Sequence, residues 1–186
     1  MPLVVILVAL ATAPPSIEHA AKVHGPALVS VISKDGQAKP GFFVAGSGVA
    51  VAVVADVDDV VLELPSGERR IAHVVVRDDD GLALVEVKKL EKDGLFPSLG
   101  LGQGAPPSPS AWILGLGLID GRVAPSVGGL RTVDERGRWK LDLPLDPGAP
   151  ILAGERVIGV VVERRGTTAC TAVPVERVLS LVKRMP

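Results

Sequence analysis

The chain has 186 residues, of which 47% are hydrophobic and 22% charged, and its 20 basic and 21 acidic residues give a formal net charge of −1. That length suits one well-buried domain or two small ones sharing an interface. The balanced charge, the 3% aromatic content and the lack of any Tyr argue against a phosphate-tracking surface or a base-stacking platform, so nucleic acid is not an expected partner.

The single cysteine, Cys170, excludes an intramolecular disulfide and a Cys-based zinc site. With no activating neighbour in the sequence it is read as a core thiol. Leu3 to Ala11 (LVVILVALA) is an apolar run too short to span a bilayer comfortably, and the small residues Ala11-Thr12-Ala13 after it are of the kind found at signal-peptidase sites. Residues 1–15 are therefore expected to be a signal peptide or an apolar N-terminal segment. The protein is expected outside the cytoplasm, periplasmic or secreted, touching a membrane only through that segment. No Lys or Arg precedes the run and Pro14 follows it, so an uncleaved strand or anchor stays open.

Further along, Ser16 is placed to cap a short helix over Ile17 to Val23, which Gly25-Pro26 stops. The 21 Gly and 16 Pro, set among short Val-rich runs, then favour a mainly β protein. A strand over Ala27 to Ile32 reaches the turn Lys34-Asp35-Gly36. Gly41 to Val44 and Val49 to Val54 form a hairpin around Gly46-Ser47-Gly48. Val60 to Leu64 and Arg70 to Val76 form another around Pro65-Ser66-Gly67. The acidic turn Asp78-Asp79-Asp80-Gly81 feeds an alternating strand, Leu82 to Val87. Residues 16–104 are assigned to a first barrel, and residues 105–110, in the Gly/Pro/Ser-rich stretch GLGQGAPPSPS, to a linker.

Residues 111–186 are assigned to a second barrel with a closing helix. Its strands are expected over Ala111 to Leu118, Arg122 to Val127, Leu130 to Val133, Trp139 to Leu143, Val157 to Val162 and Thr168 to Val173. After the strand Trp139 to Leu143 and a tight Asp146-Pro147-Gly148 turn, Ile151-Leu152 and Val157-Ile158 read as a hairpin. Apolar residues at 175, 178, 179 and 182 follow Pro174 at the spacing of one helical face. Trp112 and Trp139 are expected in the second-barrel core.

Several segments, in order, resemble the trypsin-like serine peptidases of the bacterial HtrA type. They include Pro26 to Ile32 (PALVSVI), Gly41-Phe42-Phe43-Val44, Ala52 to Asp56 (AVVAD), Val60 to Gly67 (VVLELPSG), Gly81-Leu82-Ala83-Leu84, Leu141 to Gly148 (LDLPLDPG), Val157-Ile158-Gly159-Val160 and Ala172 to Val178 (AVPVERV). The resemblance implies an all-β chymotrypsin-type fold: two antiparallel six-stranded barrels, with a short N-terminal helix and a C-terminal helix. The family's chemistry lies in the cleft between the barrels. It needs a nucleophile, an imidazole to take its proton, a carboxylate to orient the imidazole, and backbone N–H groups aimed at the oxyanion.

Carried over residue by residue, the resemblance puts Ala52 where the histidine stands and Gly81 where the aspartate stands, with Asp80 the nearest substitute. Gly148-Ala149-Pro150 replaces the segment that carries the serine, leaving Ala149 at the degenerate nucleophile position. No catalytic residue is expected, and the shortened loop also removes oxyanion donors. His19 and His24 precede the first strand and His73 lies mid-hairpin, so all three are read as structural or surface histidines. The family's peptide-pairing strand maps onto Thr168-Ala169-Cys170-Thr171.

The Asp56/Asp58/Asp59 and Asp78–Asp80 clusters lack the spacing of a calcium loop, and the glycine pairs near residues 100 and 115 lack a phosphate-loop Lys. No metal or cofactor is expected. The sequence thus points to a non-catalytic, pseudoprotease domain that binds a protein or peptide. A divergent serine-type endopeptidase with non-standard residues is the alternative from the enzyme class, and a purely structural role in assembly is a third reading. Partner identity and oligomeric state are left open.

Overall fold

The structure is a computed structural model and describes residues 16–88, 90 and 94–186. The expectation for residues 1–15 therefore lies outside the described residues. Helix α1, Ile17–His24, begins where the sequence sets its cap: the Ser16 hydroxyl accepts the His19 backbone N–H at 3.3 Å. Pro26 sits in the short 3-10 turn Gly25–Ala27 that ends the helix.

Six strands then close the first barrel: β1 Leu28–Ile32, β2 Ala38–Phe43, β3 Val49–Val53, β4 Asp59–Glu63, β5 Arg69–Arg77 and β6 Leu82–Val87. Their order is β1-β2-β3-β6-β5-β4, with β4 pairing back onto β1 through Val31 opposite Leu62. Period-two alternation decides which side chains enter: Val60 and Leu62 of β4 are buried, while Asp59 and Glu63 point outward towards His73 and Arg69 on β5. The interior is packed by side chains such as Val31, Phe43, Ala50, Ala52, Leu62 and Val85.

The chain leaves this barrel at Leu99, whose N–H donates to the Phe43 carbonyl at 2.8 Å. It joins the second sheet one residue later, where β7 (Gly100–Leu101) runs parallel to β13 (Arg156–Arg165). The remaining strands are β8 Ile113–Ile119, β9 Arg122–Gly128, β10 Leu130–Val133, β11 Trp139–Leu141, β12 Pro150–Ala153 and β14 Ala169–Pro174. They lie in the order β10-β11-β14-β13-β12-β8-β9.

The two ends of that order are consecutive in the chain, so β9 and β10 are one run bent at Gly128-Gly129. A Cβ on Gly128 would lie 2.0 Å from the Asp142 carbonyl oxygen, which explains glycine at the bend. The curled sheet is a half-barrel rather than a ring closed by strand pairing, because the bend replaces the last ladder. Inside it pack Trp139, Leu141, Ile151, Val161 and Cys170.

A third cluster joins the two sheets, with Leu28, Phe42, Leu82 and Leu84 from the first meeting Leu116, Val160 and Val173 from the second. Helix α2, Glu176–Val182, covers its end with Val178 and Leu181. Two sequence expectations are corrected. Val182 is 40% exposed and Leu181 takes the inward place, because the helix starts at Glu176 and presents 175, 178 and 181 to the core. Trp112 is 51% exposed, because β8 starts at Ile113, which occupies the inward position and sends its neighbour outward.

Candidate functional site

The three segments that the resemblance assigns to the catalytic centre do converge, around the end of β3. The Val54 N–H donates to the Gly81 carbonyl at 2.9 Å. A Cβ on Gly81, which has φ +78°, would lie 2.7 Å from the Val54 carbonyl oxygen. From the second barrel Gly148, with φ +97°, reaches the same place. A Cβ there would lie 1.9 Å from the Pro40 carbonyl oxygen of β2 and 3.7 Å from the Val53 nitrogen. Backbone therefore meets backbone where the two barrels touch, and only glycine permits the approach.

The individual positions differ from what their alignment implies. Ala52 is fully buried and faces the interior of the first barrel, while its neighbour Val53 packs on the side that joins the two sheets. Strict alternation along β3 causes this, because the strand runs regularly through Val53 and pairs with β6 from Val49–Glu86 to Val53–Leu82. Ala149 is likewise fully buried, in the core of the second barrel.

An oxyanion hole requires backbone N–H groups directed at the position of the developing charge, about 2.7–3.1 Å away. At the Asp146–Ala149 turn both relevant donors are already bonded inside the protein. The Gly148 N–H donates to the Val161 carbonyl at 2.8 Å, and the Ala149 N–H to the Asp146 carbonyl at 3.2 Å. The Val161 N–H returns a bond to the Ala149 carbonyl at 3.0 Å, and Arg164 of β13 holds the Asp146 carboxylate at 2.8 Å. The turn is thereby zipped onto β13.

The ionisable groups are occupied elsewhere. Asp80, the substitute considered for the missing carboxylate, pairs at 3.1 Å with Arg177 of α2, and Asp78 pairs with the same guanidinium at 2.6 Å. Asp78 also accepts the N–H groups of Asp80 and Leu82 at 2.9 and 3.1 Å. Burial is the largest single influence on Arg177 and acts to lower its pKa, but the hydrogen bonds and charges of the two aspartates outweigh it and raise the pKa above the ordinary arginine value. The pair is a brace between the first barrel and the C-terminal helix. Cys170 is 1% exposed, and burial pushes its thiol up to about 12 against a backbone hydrogen bond from Leu145. It is an inert core thiol.

Of the histidines, His19 is exposed in α1 and His24 is buried at its end. His73 pairs through Nδ1 with Asp59 across β4 and β5, on the exposed outer face of the first barrel. Ser47, Glu86 and Lys88 line the same surface depression as His73. Among the described residues no group of three or more His, Cys, Asp or Glu side chains is placed to hold a metal ion.

The peptide-pairing edge expected at Thr168-Ala169-Cys170-Thr171 requires correction. Thr168 lies in a turn, and β14 has neighbours on both sides, β11 through Trp139–Ala172 to Leu141–Cys170 and β13 through Gly159–Pro174 to Arg165–Ala169. With both ladders filled, Thr171 is fully buried and no strand can be added there. The unpaired stretch is on β13, because β12 accompanies it only from Arg156 to Val160 and the Ala149 backbone only at Val161. Two further residues escaped the sequence. Glu176 accepts the Gly104 N–H at 2.5 Å and ties the interbarrel segment to α2, and Arg177 reaches the acidic turn. Neither partner is near in sequence, so no local spacing signals them.

The chain is similar to the crystal structure of the serine endoprotease from Yersinia pestis, with a TM-score of 0.75 and 16% sequence identity, covering 92% of this chain and 67% of that one. No family model matches the sequence, and no curated protein matches it. The architecture is the trypsin-like double barrel.

Proposed function

We propose that this chain is a non-catalytic protein of the trypsin-like fold that binds a protein or peptide partner outside the cytoplasm. One observation carries the reading: the Gly148 and Ala149 N–H groups are bonded within the protein and Gly148 is pressed against Pro40. A trypsin-like enzyme deprived of one triad member still keeps about 10³- to 10⁴-fold catalysis from its oxyanion hole and binding contacts. Here the donors are engaged as well as the side chains missing, so that residual source is also withdrawn.

Binding fits the free edge of β13 at Val162 to Arg165, where an extended peptide can add a strand by main-chain hydrogen bonds. Casein incubated with the protein is expected to stay intact, and Arg164→Pro, which removes an N–H on the free side of β13, is expected to weaken peptide binding measured by calorimetry. Time-dependent digestion that follows this chain through purification would overturn the non-catalytic half. Unchanged peptide affinity in Arg164→Pro would overturn the edge.

A divergent endopeptidase is the second reading, favoured by the Asp59–His73 pair with Ser47 in the same depression. It predicts casein turnover abolished by Ser47→Ala and by His73→Ala alike. It is the weaker reading because the imidazole is 71% exposed and Ser47 makes no hydrogen bond to it among the described residues.

A further inference from the structure

Between β7 and β8 the chain carries Ala105-Pro106-Pro107-Ser108-Pro109. By Leu101 it has already paired with β13, so these prolines do not have to bridge the two sheets. Their conformation follows from covalent geometry. Each proline ring fixes its own φ at about −65°. Ala105, Pro106 and Ser108 each precede a proline, which restricts them to extended or polyproline II backbone. Residues 102–108 accordingly form neither helix nor strand. A polyproline II helix has three residues per turn and rises about 3.1 Å per residue, so Pro106 and Pro109 stand on one edge roughly 9 Å apart and Pro107 on another. Burial agrees: Pro106 and Pro109 are exposed, and Pro107 is half-buried.

The segment is held at both ends. The Gly104 N–H donates to Glu176 of α2 at 2.5 Å, and the Ala111 N–H donates to the Ser108 carbonyl at 2.9 Å, closing a turn with Pro109 at its second position. A polyproline stretch fixed in this way costs a partner little ordering entropy. Within residues 105–109 only Ala105 and Ser108 have a backbone N–H, so the stretch is poorly suited to strand addition. It also carries no charged side chain. What it offers is two X-Pro steps, Ala105-Pro106 and Ser108-Pro109, one turn apart on an outward edge. Their complement is a groove lined by aromatic rings.

We propose that residues 105–109 are a docking segment for a partner domain that recognises polyproline II backbone, with Pro106 and Pro109 seated between the aromatic rings of its groove. At the β13 edge this chain receives a peptide, whereas here it supplies one, so neither role depends on the other.

The test is a titration of the ¹⁵N-labelled full chain with an SH3 domain, and with the same domain after alanine replaces the aromatic residues of its groove. Saturable shifts are expected for the amides of residues 103–105, 108 and 110–112, with the intact domain only. Pro106→Ala/Pro109→Ala changes two exposed positions, so amides elsewhere should keep their positions while affinity falls about tenfold or more. Pro107→Ala, at the half-buried position, should lose less than the pair. Absence of saturable shifts, shifts that survive loss of the groove's aromatic residues, shifts located at residues 162–165 instead, or an equal loss in Pro107→Ala would each overturn the proposal.

Discussion

Two neighbouring places on the first barrel have opposite characters. At Pro40 and Val53 the second barrel's Gly148 is pressed backbone to backbone, with both of that turn's inner N–H groups bonded to the protein. Beside them, Lys39 of β2 and Val54, one residue past β3, border an open groove with an apolar floor and a rim of both charges. The difference lies in what the second barrel brings. A glycine at φ +97° can be driven against a carbonyl where any side chain would hold the barrels apart, and among the described residues nothing comparable covers the groove. The place where the fold's chemistry would sit is closed by the packing that stabilises the chain.

The sharpest way to break this contrast is to give the turn a side chain. Gly148→Val combines a left-handed backbone angle with a Cβ overlapping the Pro40 oxygen, and should cost about 4 kcal/mol in urea unfolding. A loss under about 1 kcal/mol would mean that the junction is loose. Ala52→His comes next. The imidazole would enter the packed interior of the first barrel and not the barrel junction, costing about 3 kcal/mol, and adding Ala149→Ser should yield no casein turnover.

The dryness of the closed side has its own titration. Cys170 packs beneath the turn with Leu145 and Ala149, and burial raises its folded pKa to about 12, above the ordinary thiol value of 9.0. Because the raised pKa belongs to an acid, its contribution is complete below the unfolded value and is lost as pH rises towards the folded one. Stability should fall by about 1.4 kcal/mol per pH unit from roughly pH 9 upward through this group. Cys170→Val should flatten that part of the slope, and with no Tyr in the chain no phenol obscures it. Identical slopes in the two proteins would show that water reaches the thiol.

The smallest effect belongs to the brace behind the junction. Arg177 is 39% exposed in its side chain, so Arg177→Ala should cost only about 0.5–1 kcal/mol, less at high salt. A larger, salt-independent loss would make the brace as important as the glycine contact.

Much of the fold was legible because it depends on local rules. Ser16 caps its helix, alternation buries Val60 and Leu62, and the order of short strands fits two barrels. Legibility failed where a neighbour in space decided the outcome. Ala52 stands at the aligned histidine position, but the regularity of β3 turns it into the barrel. The run Thr168 to Thr171 has strand character whether it is an edge or a centre, and only the partners β11 and β13 make it central. Trp112 reads as core if the strand begins at Ala111, but β8 begins at Ile113, two residues later, and leaves it outside. Arg177, Glu176 and the groove at the end of the first barrel draw together residues far apart in the chain, which no periodicity encodes. The Gly148 contact was half visible: the sequence showed a shortened loop, but the carbonyl that fills its place comes from β2.

The most direct test of the central claim is the intact mass of the purified chain after prolonged incubation with a fluorophosphonate, beside an active trypsin-like peptidase. No adduct is expected on this protein while the peptidase is fully labelled. Stoichiometric labelling of a single serine, prevented by its replacement with alanine, would contradict it.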